Sequence, residues 1–443
     1  MTAMPSSNMD VNTRPSRASM RRITTLVTLG NVLEWYDFSV YAVVAIYLAA
    51  NFFPKQDAVA ALLPTFAVFG AAFLARPLGA LILGPMMDRK GRKSVMLVSM
   101  LLMAGGSILI GVTPGFATLG IFGAVLVVIG RLAQGFSTGG EFGSAAVFMS
   151  EWAPDGRRGF YVSFTQVATN GGLILGLGFA SILTFILGPE NMLAWGWRIP
   201  FLFGGLLALL VFILRRHLDE TPVFRSIQQP LKSESADGLP GSETVRGGNV
   251  RAFFTTMGVV LAWTMTAFVV LNYMPAYAVT FIGIDQQSAL IATGIGAVVS
   301  LVLIPVAGAL SDRVGRRPLI IIGSVALVVL CYPMFVLMGA MHSFVGVLLA
   351  QVILAPVYAA LAGVGPATIT ELFGTRRRGS LVSVASALTI VLFGGFGPFI
   401  VTWLIQTTGT TTAPAFYLIG GGILTLITAL TLPRRLGFGA LRD

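Results

Sequence analysis

The chain has 443 residues, 55% of them hydrophobic and only 11% charged, with a mean hydropathy of +0.84. Soluble domains carry about 25% charged residues, so the composition excludes a disordered or nucleic-acid-coating chain and points away from a soluble enzyme. The net charge of +11 has to be read by its placement, and a single cysteine, Cys331, excludes an internal disulfide and any multi-thiolate metal site.

A bilayer-spanning helix needs about 20 apolar residues. Apolar runs of that order fall at 23–50, 58–83, 94–113, 118–150, 160–188, 197–217, 251–281, 288–310, 318–339, 343–372, 379–406 and 413–432. Many are interrupted by Gly or Pro, as tilted or broken membrane helices are. The first run follows a mostly polar stretch of about twenty residues with no small-residue cleavage site, and reads as an uncleaved span. Of the 29 Lys and Arg residues, 25 fall in the tails and in alternate connections, all on one side. The positive-inside rule makes that side, and both termini, cytoplasmic. Topology thus accounts for the charge, and nucleic acid need not be invoked.

Two motifs repeat at half the chain length. Gly84, Asp88, Arg89, Gly91 and Arg92 stand between the second and third spans as G-x3-D-R-x-G-R. Gly308, Asp312, Arg313, Gly315 and Arg316 repeat that spelling between the eighth and ninth, 224 residues on. Glu151, followed by Arg157-Arg158-Gly159, is matched by Glu371, followed by Arg377-Arg378-Gly379, at an offset of 220. Two motifs at nearly one offset predict an all-α membrane protein of twelve helices in two pseudo-symmetric six-helix bundles. The divisions are a cytoplasmic tail 1–22, a first bundle 23–217, a cytoplasmic linker 218–250, a second bundle 251–432 and a tail 433–443. Gly84, Asp88, Arg89, Gly91 and Arg92, Asp312, Arg313, Gly315 and Arg316, and Glu151, Arg158, Glu371 and Arg378 are candidates for a cytoplasmic gate that latches neighbouring helices.

The loop motif resembles the signature of the major facilitator superfamily. Gly30-Asn31-Val32-Leu33-Glu34-Trp35-Tyr36-Asp37-Phe38, Arg76-Pro77-Leu78-Gly79, Gly130-Arg131-Leu132-Ala133-Gln134-Gly135 and Asp219-Glu220-Thr221-Pro222 resemble, more narrowly, the metabolite:proton symporter family. The resemblance covers nearly the whole chain in motif order. It implies a proton-driven importer of small organic acids or osmolytes, with no cofactor, working in the cell (inner) membrane as a monomer.

Charges inside spans carry the chemistry. An ionised side chain at a helix centre costs about 2.5–3.5 kcal/mol on the insertion scale, so each needs a partner or a task. Glu34 and Asp37 share a face of the first span, with Tyr41 a turn beyond. Arg131, at similar depth in the fourth, is followed by Gln134, Thr138 and Glu141 on much the same face. Asp37 and Arg131 are expected to face each other with Glu34 alongside, so that protonation of the acid frees the arginine for a substrate carboxylate. In related facilitators an acid of the first span and an arginine of the fourth play this part. Glu141 is the second candidate for protonation. Uncharged candidates for substrate contact are Tyr41 and Gln134, Gln166 and Asn170, Asn272 and Tyr273 before Pro275, and Tyr358, with Thr368 nearby. Arg76 is read as snorkelling to the cytoplasm or joining the latch, Arg198 as a helix-start anchor or anion attractor, and His217 and His342 as interfacial.

Gly135-Phe136-Ser137-Thr138-Gly139 mimics a hydrolase elbow, but inside an apolar helix it serves close packing better. No P-loop or zinc motif occurs. The expected function is proton-coupled import of a di- or tricarboxylate such as citrate or α-ketoglutarate. The alternatives are a proline or betaine osmolyte and, outside transport, a solute-binding membrane sensor.

Overall fold

The computed structural model describes residues 17–52, 58–225, 246–374, 377–434 and 436–437. The outer tails (1–16 and 438–443) and the middle of the expected linker (226–245) therefore lie outside the described residues. Twelve long helices are present among them. They are α1 (Arg17–Phe52), α2 (Ala58–Lys90), α3 (Arg92–Val112), α4 (Ile121–Trp152), α5 (Arg158–Asn191) and α6 (Arg198–Arg215). The second set is α7 (Arg246–Thr266, continued by irregular turns to Ile282), α8 (Gln286–Val314), α9 (Arg316–Met341) and α10 (Phe344–Glu371). It ends with α11 (Arg378–Thr389, continued through Ile390–Gly395 to Thr408) and α12 (Ala413–Thr431). Every expected span has its helix, within a few residues at most ends.

Within each set the pairing repeats. Helix α1 packs on α5 as α7 packs on α11, α2 on α4 as α8 on α10, and α3 on α6 as α9 on α12. The two sets meet where α2 faces α11 and α5 faces α8. Met20, which packs with Met149, Leu218 and Ala367, and Leu436, whose carbonyl accepts from the Arg316 N–H, lie at one end, the basic end.

Small residues set the spacing. A β-carbon on Gly135 would lie 1.9 Å from the Ala72 carbonyl oxygen, and one on Gly139 2.1 Å from that of Arg76. The hydrolase-like string is thus a strip on which the α2 backbone rests. Breaks fall where the sequence carries Pro and Gly. Helix α7 widens into π-type turns over Ala267–Tyr273 just before Pro275, and α11 does so over Ile390–Gly395 just before Gly397-Pro398. Large apolar side chains such as Leu78, Ile82, Phe122 and Phe185 are exposed on the outer faces, as expected of a surface solvated by lipid.

Candidate functional site

The repeated loop motif closes the basic end twice with one geometry. Gly91 and Gly315 take φ of 97° and 93°, a region that other residues rarely enter, and so fold α2 straight into α3 and α8 into α9. Gly84 and Gly308 admit the opposite half. A β-carbon on Gly84 would lie 2.9 Å from Ser380 Cα, and one on Gly308 2.5 Å from the Gly159 carbonyl oxygen.

That closeness brings each motif aspartate to a helix start in the other half. Asp88 accepts from the backbone N–H groups of Gly379 (3.0 Å) and Ser380 (2.9 Å), and from the Ser380 hydroxyl. Asp312 accepts from those of Gly159 (2.8 Å) and Phe160 (2.9 Å). A carboxylate there satisfies orphan donors and complements the helix dipole.

Buried arginines complete the closure. Glu151 takes Arg92 and Arg378, each at 3.0 Å, the second across the seam, and the Thr221 hydroxyl at 2.6 Å. Arg316 holds Glu371 at 3.0 Å and Asp312 at 2.8 Å. Arg158 reaches Asp155 at 2.8 Å. Two expected gate members, Arg89 and Arg313, are exposed instead. Each follows its aspartate by one residue, and a helix turns about 100° per residue, so they point away.

Glu220 and Thr221, noted in the sequence only for the family resemblance, open the expected linker and were not among the gate candidates. Glu220 sits against Gly91 and accepts from the backbone N–H groups of Lys93 (3.1 Å) and Thr221 (2.9 Å). Burial pushes its carboxyl above the usual range, and the amide bonds oppose that shift. The first residues given to the linker are therefore part of the closure.

The interior charges pair differently from the expectation. Gln134 stands between Asp37 and Arg131: its Oε1 accepts from Arg131 Nη1 at 2.8 Å, and its Nε2 donates to Asp37 Oδ2 at 3.0 Å. Ser107, on α3, was not expected at all. Its hydroxyl donates to Asp37 Oδ2 and receives Gln134 Nε2 at 2.8 Å. The Arg131 guanidinium lies 4.2 Å from the Tyr41 ring centre and 4.8 Å from that of Phe38. Asp37, Arg131, Gln134 and Ser107 are all buried.

Glu34 pairs not with that cluster but with Arg76, at 3.3 Å. Arg76 neither snorkels nor joins the latch, because Trp35, Phe38 and Phe73 surround its guanidinium with ring centres 4.9–5.2 Å away. Glu141 takes Arg215 at 2.7 Å, and Arg215 also donates to the carbonyls of Leu26 and Val27. Gly30 makes room for it: a β-carbon there would lie 1.9 Å from Arg215 Nη2. Three buried carboxylates thus meet three buried arginines. Unpaired, each charge would be prohibitive in the interior.

Of the uncharged candidates, Gln166 is buried, and Asn170 reaches across the seam to the Tyr358 hydroxyl at 3.4 Å. Thr368 bonds the Val364 carbonyl of its own helix, as Thr138 bonds that of Gly135. Tyr273 meets the Thr402 hydroxyl at 2.8 Å. Asn272 is exposed and bonds the Ala267 carbonyl of its own helix, so the widened turn sends it away from Tyr273. Asn31, not selected as a candidate, is 2% exposed, and neither amide atom has a hydrogen-bond partner among the described residues. Arg198 donates to the Ala194 and Thr113 carbonyls and lies over Trp197, and His342 bonds the Ile282 carbonyl.

Comparison with known proteins gives two family matches: Sugar (and other) transporter over residues 23–241 and Major Facilitator Superfamily over residues 252–437. The proline/betaine transporter of Salmonella typhimurium is 34% identical over 422 residues, 93% of this chain and 83% of that protein. The citrate-proton symporter of Klebsiella pneumoniae is 35% identical over 412 residues, 92% of this chain and 91% of that one. Among solved structures, the proton:xylose symporter XylE bound to 6-bromo-6-deoxy-D-glucose superposes with a TM-score of 0.79 at 20% identity, covering 95% and 97% of the two chains. That last likeness is one of fold.

Proposed function

Because the chain belongs to the major facilitator superfamily, with a proline/betaine transporter and a citrate-proton symporter among its relatives, we propose that it is a multi-pass, proton-coupled symporter of a small carboxylate-bearing solute. The bundles 23–217 and 251–432 rock about the interior site, the linker and both termini lie in the cytoplasm, and the monomer is the working unit. The observation that carries this reading is the buried cluster of Asp37, Gln134 and Arg131. A proton taken up by Asp37 removes the charge that balances Arg131, and the guanidinium then offers its fork to a solute carboxylate. Glu34–Arg76 and Glu141–Arg215 supply further balanced pairs beside it. The closure around Asp88, Asp312 and Glu151 is the cytoplasmic gate, which opens when the loaded carrier turns inward.

Citrate and other di- or tricarboxylates remain the first solutes to test. One observation favours the osmolyte reading, proline or betaine. Glu34, Asp37 and Glu141 balance Arg76, Arg131 and Arg215 one for one, and α7–α12 bring no charged residue except near their ends. A balanced interior takes a net-neutral zwitterion as it stands, whereas a multiply charged anion has to bring a proton for each surplus charge. Uptake of radiolabelled citrate, α-ketoglutarate, shikimate, proline and glycine betaine by proteoliposomes, with and without a proton gradient, tests both. Symport requires uphill accumulation that a protonophore collapses. A sensor accumulates none of them.

A further inference from the structure

Resting on the coupling role of Asp37, we propose that Ser107 and Gln134 form the relay through which the protonation state of Asp37 reaches Arg131, with Ser107 as the hydrogen switch. Donor and acceptor inventories fix the present state. Arginine has only donors, so the Gln134 oxygen must face Arg131, and the amide nitrogen must then face Asp37 and Ser107. Asp37 Oδ2 accepts from both of them, the arrangement suited to an ionised carboxylate.

A protonated Asp37 has a hydrogen to give and needs an acceptor. The Ser107 hydroxyl has a second place for its own hydrogen, since its oxygen lies 2.9 Å from the Met103 carbonyl one turn back on α3. When a proton binds Asp37, the Ser107 O–H turns to Met103. The Ser107 oxygen then accepts the new carboxyl O–H, using its two lone pairs for that bond and for Gln134 Nε2. Ser107 keeps all its partners, its bond with Asp37 reversing direction, and the only proton gained is the one on Asp37. The Gln134 amide loses its charged acceptor, and with it the charge-assisted bond that held its oxygen against Arg131. Arg131 is then presented to the solute. Other charged or titratable groups around Asp37 are Tyr36 and Glu34 on its own helix and Arg131 on α4. Helix α6 offers Gly204, against which Asp37 Oδ1 packs, and Arg76 of α2 is held by Glu34.

The test uses the full chain in proteoliposomes with radiolabelled proline, glycine betaine and citrate, following both gradient-driven uptake and solute counterflow across external pH. Ser107→Ala takes a donor from the ionised acid, so the declining limb of uptake moves to higher pH by about one unit. Counterflow at low pH persists, and the hydroxyl-bearing Ser107→Thr returns the profile towards wild type. Gln134→Met, which keeps shape but no amide, shifts the profile in the same direction and separates accumulation from counterflow; it carries the test if Ser107→Ala does not fold. Profiles that coincide with wild type in a folded variant, or an equal loss of uptake and counterflow at every pH, would overturn the relay. Uphill accumulation retained by Asp37→Asn would instead overturn the coupling reading on which the relay rests.

Discussion

Ser150 and Thr370 stand 220 positions apart, the same interval that separates Glu151 from Glu371, and their hydroxyls meet at 3.0 Å. Equivalent positions of two related halves touch only on the axis that relates them. The contact therefore marks where the pseudo-twofold passes through the closed basic end, beside the Glu151–Arg378 pair.

On the proposed gating, that contact is made only while the basic end is shut. Ser150→Cys with Thr370→Cys is expected to form a disulfide that blocks uptake, and reductant is expected to restore it. The background is clean, since Cys331 is the single native cysteine and is buried. Uptake by the oxidised double variant at the wild-type rate would show that the basic end need not open.

The two aspartate caps are expected to act alike. Asp88→Asn and Asp312→Asn each weaken charge-assisted bonds to two backbone N–H groups, a loss of about 1 kcal/mol apiece. Each shifts the population towards a carrier open at the basic end, and the pair together shifts it further. Spin-label distances across α2–α11 and α5–α8 check this, and unchanged distances would count against it.

Arg131→Lys keeps the charge but not the fork. Loss of a bidentate, charge-assisted contact is worth about 1.5–3 kcal/mol, so half-saturating solute concentration is expected to rise by roughly ten- to a hundred-fold. Wild-type affinity in the lysine variant would place the solute carboxylate elsewhere.

Gly30→Ala puts a methyl group where Arg215 passes. Overpacking of this kind costs roughly 1–3 kcal/mol, and detergent thermal unfolding should record the drop in stability. Here the burden falls on stability, because Gly30 touches no group assigned to the solute.

Much of this was legible in the chain itself. Helix number, the halves and the latch aspartates follow from apolar length and from two strings repeated at one interval, which local sequence carries in full. The interior was legible only as a set of charges. Residue spacing put Glu34 and Asp37 on one face, but their partners depend on how α1, α2 and α4 cross, and the glycine contacts at Ala72, Arg76 and Arg215 decide that. Hence Arg76 fell to Glu34 and Arg215 to Glu141, and Gln134 came between Asp37 and Arg131. Ser107 gave no signal, since a serine in an apolar helix commonly bonds its own backbone. Glu220 and Thr221 were legible as a motif, but their part in the closure was masked by a polar stretch that reads as linker.

Asp37→Asn in sealed proteoliposomes bears on all of this at once, because the amide keeps the shape of the acid and abolishes its titration. Gradient-driven accumulation is expected to vanish, while solute counterflow without a gradient continues at a rate comparable to wild type. Uphill accumulation undiminished in the asparagine variant would contradict the assignment of Asp37 as the proton-binding group that governs Arg131.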